Sequence, residues 1–346
     1  MFGKRSRGPV DAFWKWWPTV SGDLAASGIA EDLAGHAKSL TAKVKAIHPS
    51  LVWEIGPGRS ATRSLMVGSE GDLSLRHHAE EWRAAAPADD DWEFICARAP
   101  ITAEHLSDLS LTIGDRTIPL GPVRIRLVPD VSGERLDASL WHPIFPDLDE
   151  KDRAQIGFLA LDSALGEDDV ERWLGHIDWS VDASEHDIPI GTLPQAVVAF
   201  AAQATGDRWA LVQGNAVDGC GPMILAVNRA LKHIDHVGQE QLFTISVPVG
   251  KWSSNGFPSP DESSVLEMAE NALIHALNGH GALVARSTLR GTRRWYVYAD
   301  PEVGQIVQTW QHESLSSSKV AVTSRPDPGW EFAKNCVQQL IVPNPV

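Results

Sequence analysis

From residue 242 onward the spacing of apolar positions changes rhythm repeatedly. Leu242-Phe243-Thr244-Ile245-Ser246-Val247 alternates and predicts a strand. After a loop rich in Gly, Pro and Ser, Ser259-Pro260-Asp261-Glu262 has the composition of a capped helix start, with Ser as N-cap, Pro in the first turn and Glu at N3. Val265, Leu266, Ala269, Ala272, Leu273, Ala276 and Leu277 then recur at helical spacing, and Asn278-Gly279 supplies residues tolerant of positive φ. Ala282 to Leu289 predicts a second strand, Arg290-Gly291 a turn, and Arg294-Trp295-Tyr296-Val297-Tyr298 the returning strand of a hairpin. Asp300-Pro301 is expected to cap a second helix with Val303, Ile306, Val307 and Trp310 on one face. Lys319 to Ser324 predicts a last strand, with Val320 and Val322 on one side. The order β-α-β-β-α-β predicts an α+β, ferredoxin-like domain: a four-stranded antiparallel sheet with two helices on one face.

The first half has weaker punctuation. Ser27 is placed to cap a helix carrying Ile29, Leu33, Ala37, Leu40, Val44 and Ile47. Leu51 to Gly56 and Arg63 to Ser69 predict strands, Leu73 to Ala86 a helix, and Trp92 to Cys96 another strand. From Leu109 to Trp141 the pattern is β-rich. The acidic run Asp147 to Asp152 opens a helix, favoured by the helix dipole, that Gly166 ends. Asp168 to Leu174 predicts another helical turn or two, and a polar, Pro-containing linker is expected through Pro194. The expected division is a mixed α+β domain over 1–205 and the ferredoxin-like domain over 206–346.

Gly256-Phe257-Pro258-Ser259-Pro260, the capped helix, Arg294 to Tyr298 and Asp327-Pro328-Gly329-Trp330-Glu331-Phe332 together resemble a bacterial family catalogued as domain of unknown function 695. That resemblance covers about the last third of the chain and implies a fold without an activity. The ending Asp-Pro-Gly-Trp also resembles that of the regulator of ribonuclease activity B, which implies a small acidic ferredoxin-like protein acting by binding a nuclease. A separate echo links Asp91-Trp92-Glu93-Phe94 to Gly329-Trp330-Glu331-Phe332, each closing a run of helices and strands. Duplication and chance both account for it in a chain with 14 Trp.

Composition narrows the function. The 346 residues carry 45 Asp+Glu against 30 Lys+Arg, a net charge of −15. Such a chain repels nucleic acid and anionic membranes at long range and attracts basic proteins. No stretch is apolar enough to span a membrane, and the basic start Lys4, Arg5, Arg7 is not followed by a signal-like apolar run. Cys96, Cys220 and Cys336 show no paired spacing, so reduced thiols and a cytoplasmic setting are expected.

The segments that look like chemistry each have a plainer reading. Glu54-Ile55-Gly56-Pro57-Gly58 resembles the first motif of class I methyltransferases, but Ala61 to Val67 is too short for the crossover helix that motif requires. A strand-turn-strand hairpin is expected instead. His77 with Glu81, and His233-Ile234-Asp235-His236, lack the spacing of a metal motif and are expected on solvated surface. Cys220 in Asp218-Gly219-Cys220-Gly221-Pro222 has no nominated base and reads as a turn. No cofactor is implied. The expected function is a non-enzymatic binding or regulatory protein that contacts a basic partner, with Asp327, Trp330 and Glu331 as candidate contact residues and Arg294 as a candidate ion-pair partner. The alternative is an enzyme with a dispersed site between the two halves.

Overall fold

The computed structural model describes residues 8–26, 31–113, 115–215, 222–254, 257–289, 291–315 and 319–341. Lys4, Arg5, Arg7, the Ser27 cap, Cys220, Gly256 and Arg290 lie outside them. The chain is mixed α+β, with four sheets among the described residues, and divides into two compact units: residues 1–130 with 135–203, and residues 131–134 with 204–346. No helix among the described residues is long and apolar enough to cross a membrane.

The first unit contains α1 (Gly8–Trp16), α2 (Ser21–Ala26), α3 (Glu31–Ile47), β1 (Val52–Pro57), β2 (Arg63–Gly68), α4 (Arg76–Ala84) and β3 (Trp92–Ile95). Next come α5 (Ala103–Asp108), β4 (Ser110–Ile113), β5 (Arg116–Pro119), β6 (Arg124–Asp130) and β7 (Arg135–Trp141). The unit ends with α6 (Glu150–Leu165), α7 (Glu167–Trp173), β8 (Leu174–Ser180), β9 (Ile188–Pro189) and α8 (Leu193–Ala201). The expected linker after residue 174 therefore holds structure. β8 pairs in parallel with β7, and its polar, exposed positions hid it from a hydrophobicity reading.

β1 and β2 form an antiparallel hairpin with Val52 opposite Gly68, while β2 and β3 run parallel across α4. One face of this three-stranded sheet is oily. Leu65, Val67 and Trp92 pack with Phe13, Trp17 and Trp82, and Phe94 seals that aromatic core edge-on to Trp14 at 4.7 Å. A second core lies between the sheet β8-β7-β6-β9 and α6, where Ile125, Leu140, Ile156 and Leu161 are fully buried.

The second unit contains β10 (Trp209–Asn215), β11 (Pro222–Asn228), β12 (Gln241–Pro248), α9 (Pro260–Leu277), β13 (Gly281–Leu289), β14 (Thr292–Ala299), α10 (Gly304–Ser314), β15 (Ala321–Pro326) and α11 (Glu331–Ile341). Its antiparallel sheet has six strands in the order β10-β11-β13-β14-β12-β15, so the expectation of four is corrected. The extra two, β10 and β11, precede the segment in which the period switches. The two-residue alternation sorts the core. Phe243, Ile245, Trp295 and Val297 face α9 and α10, whereas Leu242, Tyr298 and Val284 pack with Trp330 and Cys336.

Local signals largely act as their chemistry dictates. Ser259 accepts the Glu262 N–H, and Asn278 closes α9 with φ 42°. Glu262, however, reaches the Gly250 N–H at 2.8 Å and not the Ser259 backbone. Asp300 makes no side-chain cap; its carboxylate lies 3.3 Å from His280, and a 3-10 turn over Pro301–Val303 precedes α10. β15 begins two residues later than expected, as an exposed edge strand with Val322 outward. The Trp-Glu-Phe echo has no structural counterpart, since its first copy lies in β3 and its second enters α11.

Within this unit Glu134 is a buried carboxylate. It accepts the N–H groups of Thr205 (2.7 Å) and Gly206 (2.8 Å), the Thr205 hydroxyl (2.8 Å) and Arg208 Nε (3.0 Å). Burial alone would raise its pKa, but these four donors hold it down at about 2.

Candidate functional site

The face of the β1-β2-β3 sheet turned away from the aromatic core lines a cavity. Register puts Glu54, Met66 and Ile95 in one row, and Gly56, Ser64 and Glu93 in the next. All six line a cavity of about 250 Å³. Arg98, Ala99, Ile101 and the end of α6, through Asp162 and Ser163, line its remaining walls. The Ile101 N–H donates to the Ser163 carbonyl at 2.8 Å, fixing one wall to the helix. Gly166 lets the helix end with φ 85°, and a Cβ there would come within 2.7 Å of the Pro100 ring.

Two arginines border the site, and each is engaged. Arg98 Nη1 donates to Glu167 at 2.9 Å, and its Nε and Nη2 approach one oxygen of Glu54, both at 3.3 Å. Arg59 donates to the Pro100 carbonyl, while its N–H (2.7 Å) and that of Ser60 (3.4 Å) both reach Glu93 Oε2. Ser64 Oγ donates to the Pro57 carbonyl at 3.2 Å.

The acceptors are not used up. Among the described residues, Glu54 and Glu93 each engage a single oxygen, and the Asp162 carboxylate accepts no hydrogen bond. Burial raises the Asp162 pKa to about 6; Glu167 adds to the shift and Arg98 opposes it. The arrangement offers hydrogen-bond acceptors and negative charge beside Met66, Ile95 and Ile101. It presents no nucleophile paired with a base. No group of three or more His, Cys, Asp or Glu among the described residues could hold a metal ion.

The methyltransferase-like segment is the hairpin itself. Residues 58–62 connect the two strands with no intervening helix, and Gly58 serves the turn: a Cβ there would sit 2.5 Å from the Ala61 carbonyl and 2.7 Å from that of Arg63.

Three of the four residues nominated from the sequence, Asp327, Trp330 and Glu331, sit at the start of α11. Trp330 is 3% exposed, stacks on Tyr298 at 4.3 Å and 9°, and donates its indole N–H to the Gln239 carbonyl. Asp327, also buried, accepts the Tyr298 hydroxyl at 2.6 Å and the N–H groups of Glu331 and Phe332, so it caps that helix. Glu331 is exposed and pairs with Lys334, and Asp327 pairs with Arg325; neither ion pair involves Arg294, which is half-buried on β14.

His233 is buried, against the expectation of solvated surface, and His236 is half-buried. His236 stacks on Trp330 at 5.5 Å, and His233 lies edge-on to it with its ring nitrogen 2.9 Å from the Pro328 carbonyl. Burial lowers both pKa values, that of His233 to about 4. Cys96 and Cys336 are buried free thiols, pushed up by burial to about 12 and about 11.

Sequence reasoning passed over Glu93, Arg98 and Asp162. The signal for the first was present in period two: Trp92 and Phe94 are oily while Glu93 and Ile95 alternate with them. Asp162 carried no signal, because the helix that delivers it lies about a hundred residues from the hairpin.

No curated protein matches the chain. A family model does: residues 207–334, the C-terminal part, match the Family of unknown function (DUF695).

Proposed function

We propose that this is a non-enzymatic binding or regulatory protein that engages a basic protein partner through acidic surface. The observation that carries the reading is the acid surplus, 45 Asp+Glu against 30 Lys+Arg. At the first unit's cavity Glu54, Glu93 and Asp162 stand in the lining. A surface of one sign accelerates encounter with an oppositely charged partner and rejects like-charged ones. A basic nuclease is one partner of the right charge, in keeping with the ribonuclease-regulator resemblance.

We read the second unit as a ferredoxin-like core widened by β10 and β11. Its inner order β13-β14-β12-β15, with α9 and α10 packed on one face, supports that reading. Of the four nominated contact residues, Glu331 has the most accessible side chain, at 65% exposed. Asp327 and Trp330 shape the turn that presents it, and Arg294 is half-buried on β14.

The test is binding of the full chain to purified basic and acidic probe proteins, a basic ribonuclease among them, at low and high salt. Affinity for the basic probes should fall steeply with salt and with reversal of surface carboxylates. Affinity indifferent to both would sink the proposal.

A further inference from the structure

We infer that the cavity on the β1-β2-β3 sheet binds a cationic group carried on a short aliphatic stem, the chemistry of an arginine or lysine side chain or of a free alkylguanidine. The inference rests on the binding-protein reading and gives it a site. Three observations carry it.

The hydrogen-bonding ledger of the lining is lopsided. Arg98 is committed to Glu54 and Glu167, Arg59 and Ser64 donate to carbonyls, and the loop N–H groups of Arg59 and Ser60 are taken by Glu93. Among the described residues, the second oxygen of Glu54, the second oxygen of Glu93 and both oxygens of Asp162 accept no hydrogen bond. A ligand that donates hydrogen bonds and carries positive charge completes this set, whereas one that only accepts does not.

The charge points the same way. Three carboxylates and two guanidiniums line the cavity, and Glu167 stands behind Arg98. Asp162 contributes most directly, because it is half-buried beside the apolar lining, where a cation would pair with it. Among the described residues its carboxylate accepts no hydrogen bond.

Size and lining fit the stem. A volume of about 250 Å³ lies below the usual range for drug-sized ligands, so the occupant is small. Met66, Ile95, Ala99 and Ile101 provide apolar surface for methylenes beside the carboxylates.

The experiment is isothermal titration of the full chain at low salt with four probes: butylguanidine, a blocked Gly-Arg-Gly peptide, neutral butylurea and anionic butyrate. Butylguanidine should bind one to one, with butylurea and butyrate at least about tenfold weaker, about the worth of one charge-assisted hydrogen bond. The variant Asp162→Asn, which removes no hydrogen bond to the protein, should weaken butylguanidine by about tenfold. Absence of saturable binding by butylguanidine, butyrate binding as tightly as the cation, or an unchanged Kd in Asp162→Asn would each overturn the inference. The two proposals fail separately. If butylguanidine binds and the peptide does not, the cavity takes free cations and its link to a protein partner falls. If a basic protein binds but neither small cation does, the partner reading stands and the cavity is not its site.

Discussion

Glu134 provides a stringent test of how a buried charge contributes to this fold. Replacing it with Ala removes an acceptor from four donors at 2.7–3.0 Å, two of them backbone N–H groups. Its side chain is 4% exposed, so solvent cannot substitute cheaply. Lowering its pKa from 4.5 to about 2 on folding corresponds to about 3 kcal/mol of stability. Arg208 is 43% exposed, which screens that partner and trims the figure to about 2–3 kcal/mol. The sign follows from the depressed folded-state value. The contribution is complete above about pH 4.5 and is lost as pH falls toward about 2. Glu134→Ala should therefore destabilise the second unit by about 2–3 kcal/mol at pH 7. Glu134→Gln, whose amide oxygen still accepts, should cost about half as much. Urea unfolding gives the global figure, and amide exchange at Thr205 and Gly206 reports the loss where it occurs. An alanine variant within about 0.5 kcal/mol of the parent, or one that keeps the parent's acid-limb slope, would refute the reasoning.

Three further outcomes follow from other contacts. Gly58→Ala places a methyl against two backbone carbonyls of the hairpin turn, so it should cost about 1–3 kcal/mol in thermal or urea unfolding; an unchanged midpoint would show that the turn relaxes freely. Asp162→Asn should stabilise the first unit by about 1–2 kcal/mol at pH 8 and leave it unchanged at pH 3, because a carboxyl whose pKa is raised to about 6 contributes stability below 3.8 and loses it as pH rises through 6; equal effects at both pH values count against it. Tyr298→Phe removes a 2.6 Å hydrogen bond from buried Asp327 and should cost about 1–3 kcal/mol, with amide exchange in α11 quickened first; slow exchange there would mean that the two backbone donors suffice.

The legible parts of the fold are those in which one stretch of chain contains both a rhythm and its stop signals. Ser259-Pro260-Asp261-Glu262 and Asn278 bracket α9, and the aromatic alternation from Arg294 to Tyr298 predicts β14 with its two faces sorted. β8 was illegible because Leu174-Gly175-His176-Ile177-Asp178-Trp179-Ser180 has few apolar residues and derives its strand from pairing with β7. The number of strands in the second sheet was misjudged because β10 and β11 lie before the segment whose pattern was strongest. Asp327 and Trp330 stand out in the sequence, but the same polar and aromatic character can serve a helix cap and a stacked anchor. Only burial, 5% and 3%, separates that from a contact surface.

The segment Glu54-Ile55-Gly56-Pro57-Gly58 shows how the following few residues decide what a motif can bind. In a strand-turn-helix setting the N–H groups after the glycines face a ligand and favour an anion. Here the chain returns at once as β2, and the N–H groups of Arg59 and Ser60 are consumed by Glu93 from β3. The loop's donors are thus satisfied by the protein's own carboxylate, and the oxygens left over point the local chemistry toward cations. The same glycines that would admit a phosphate in one topology help to build, in this one, a wall against it.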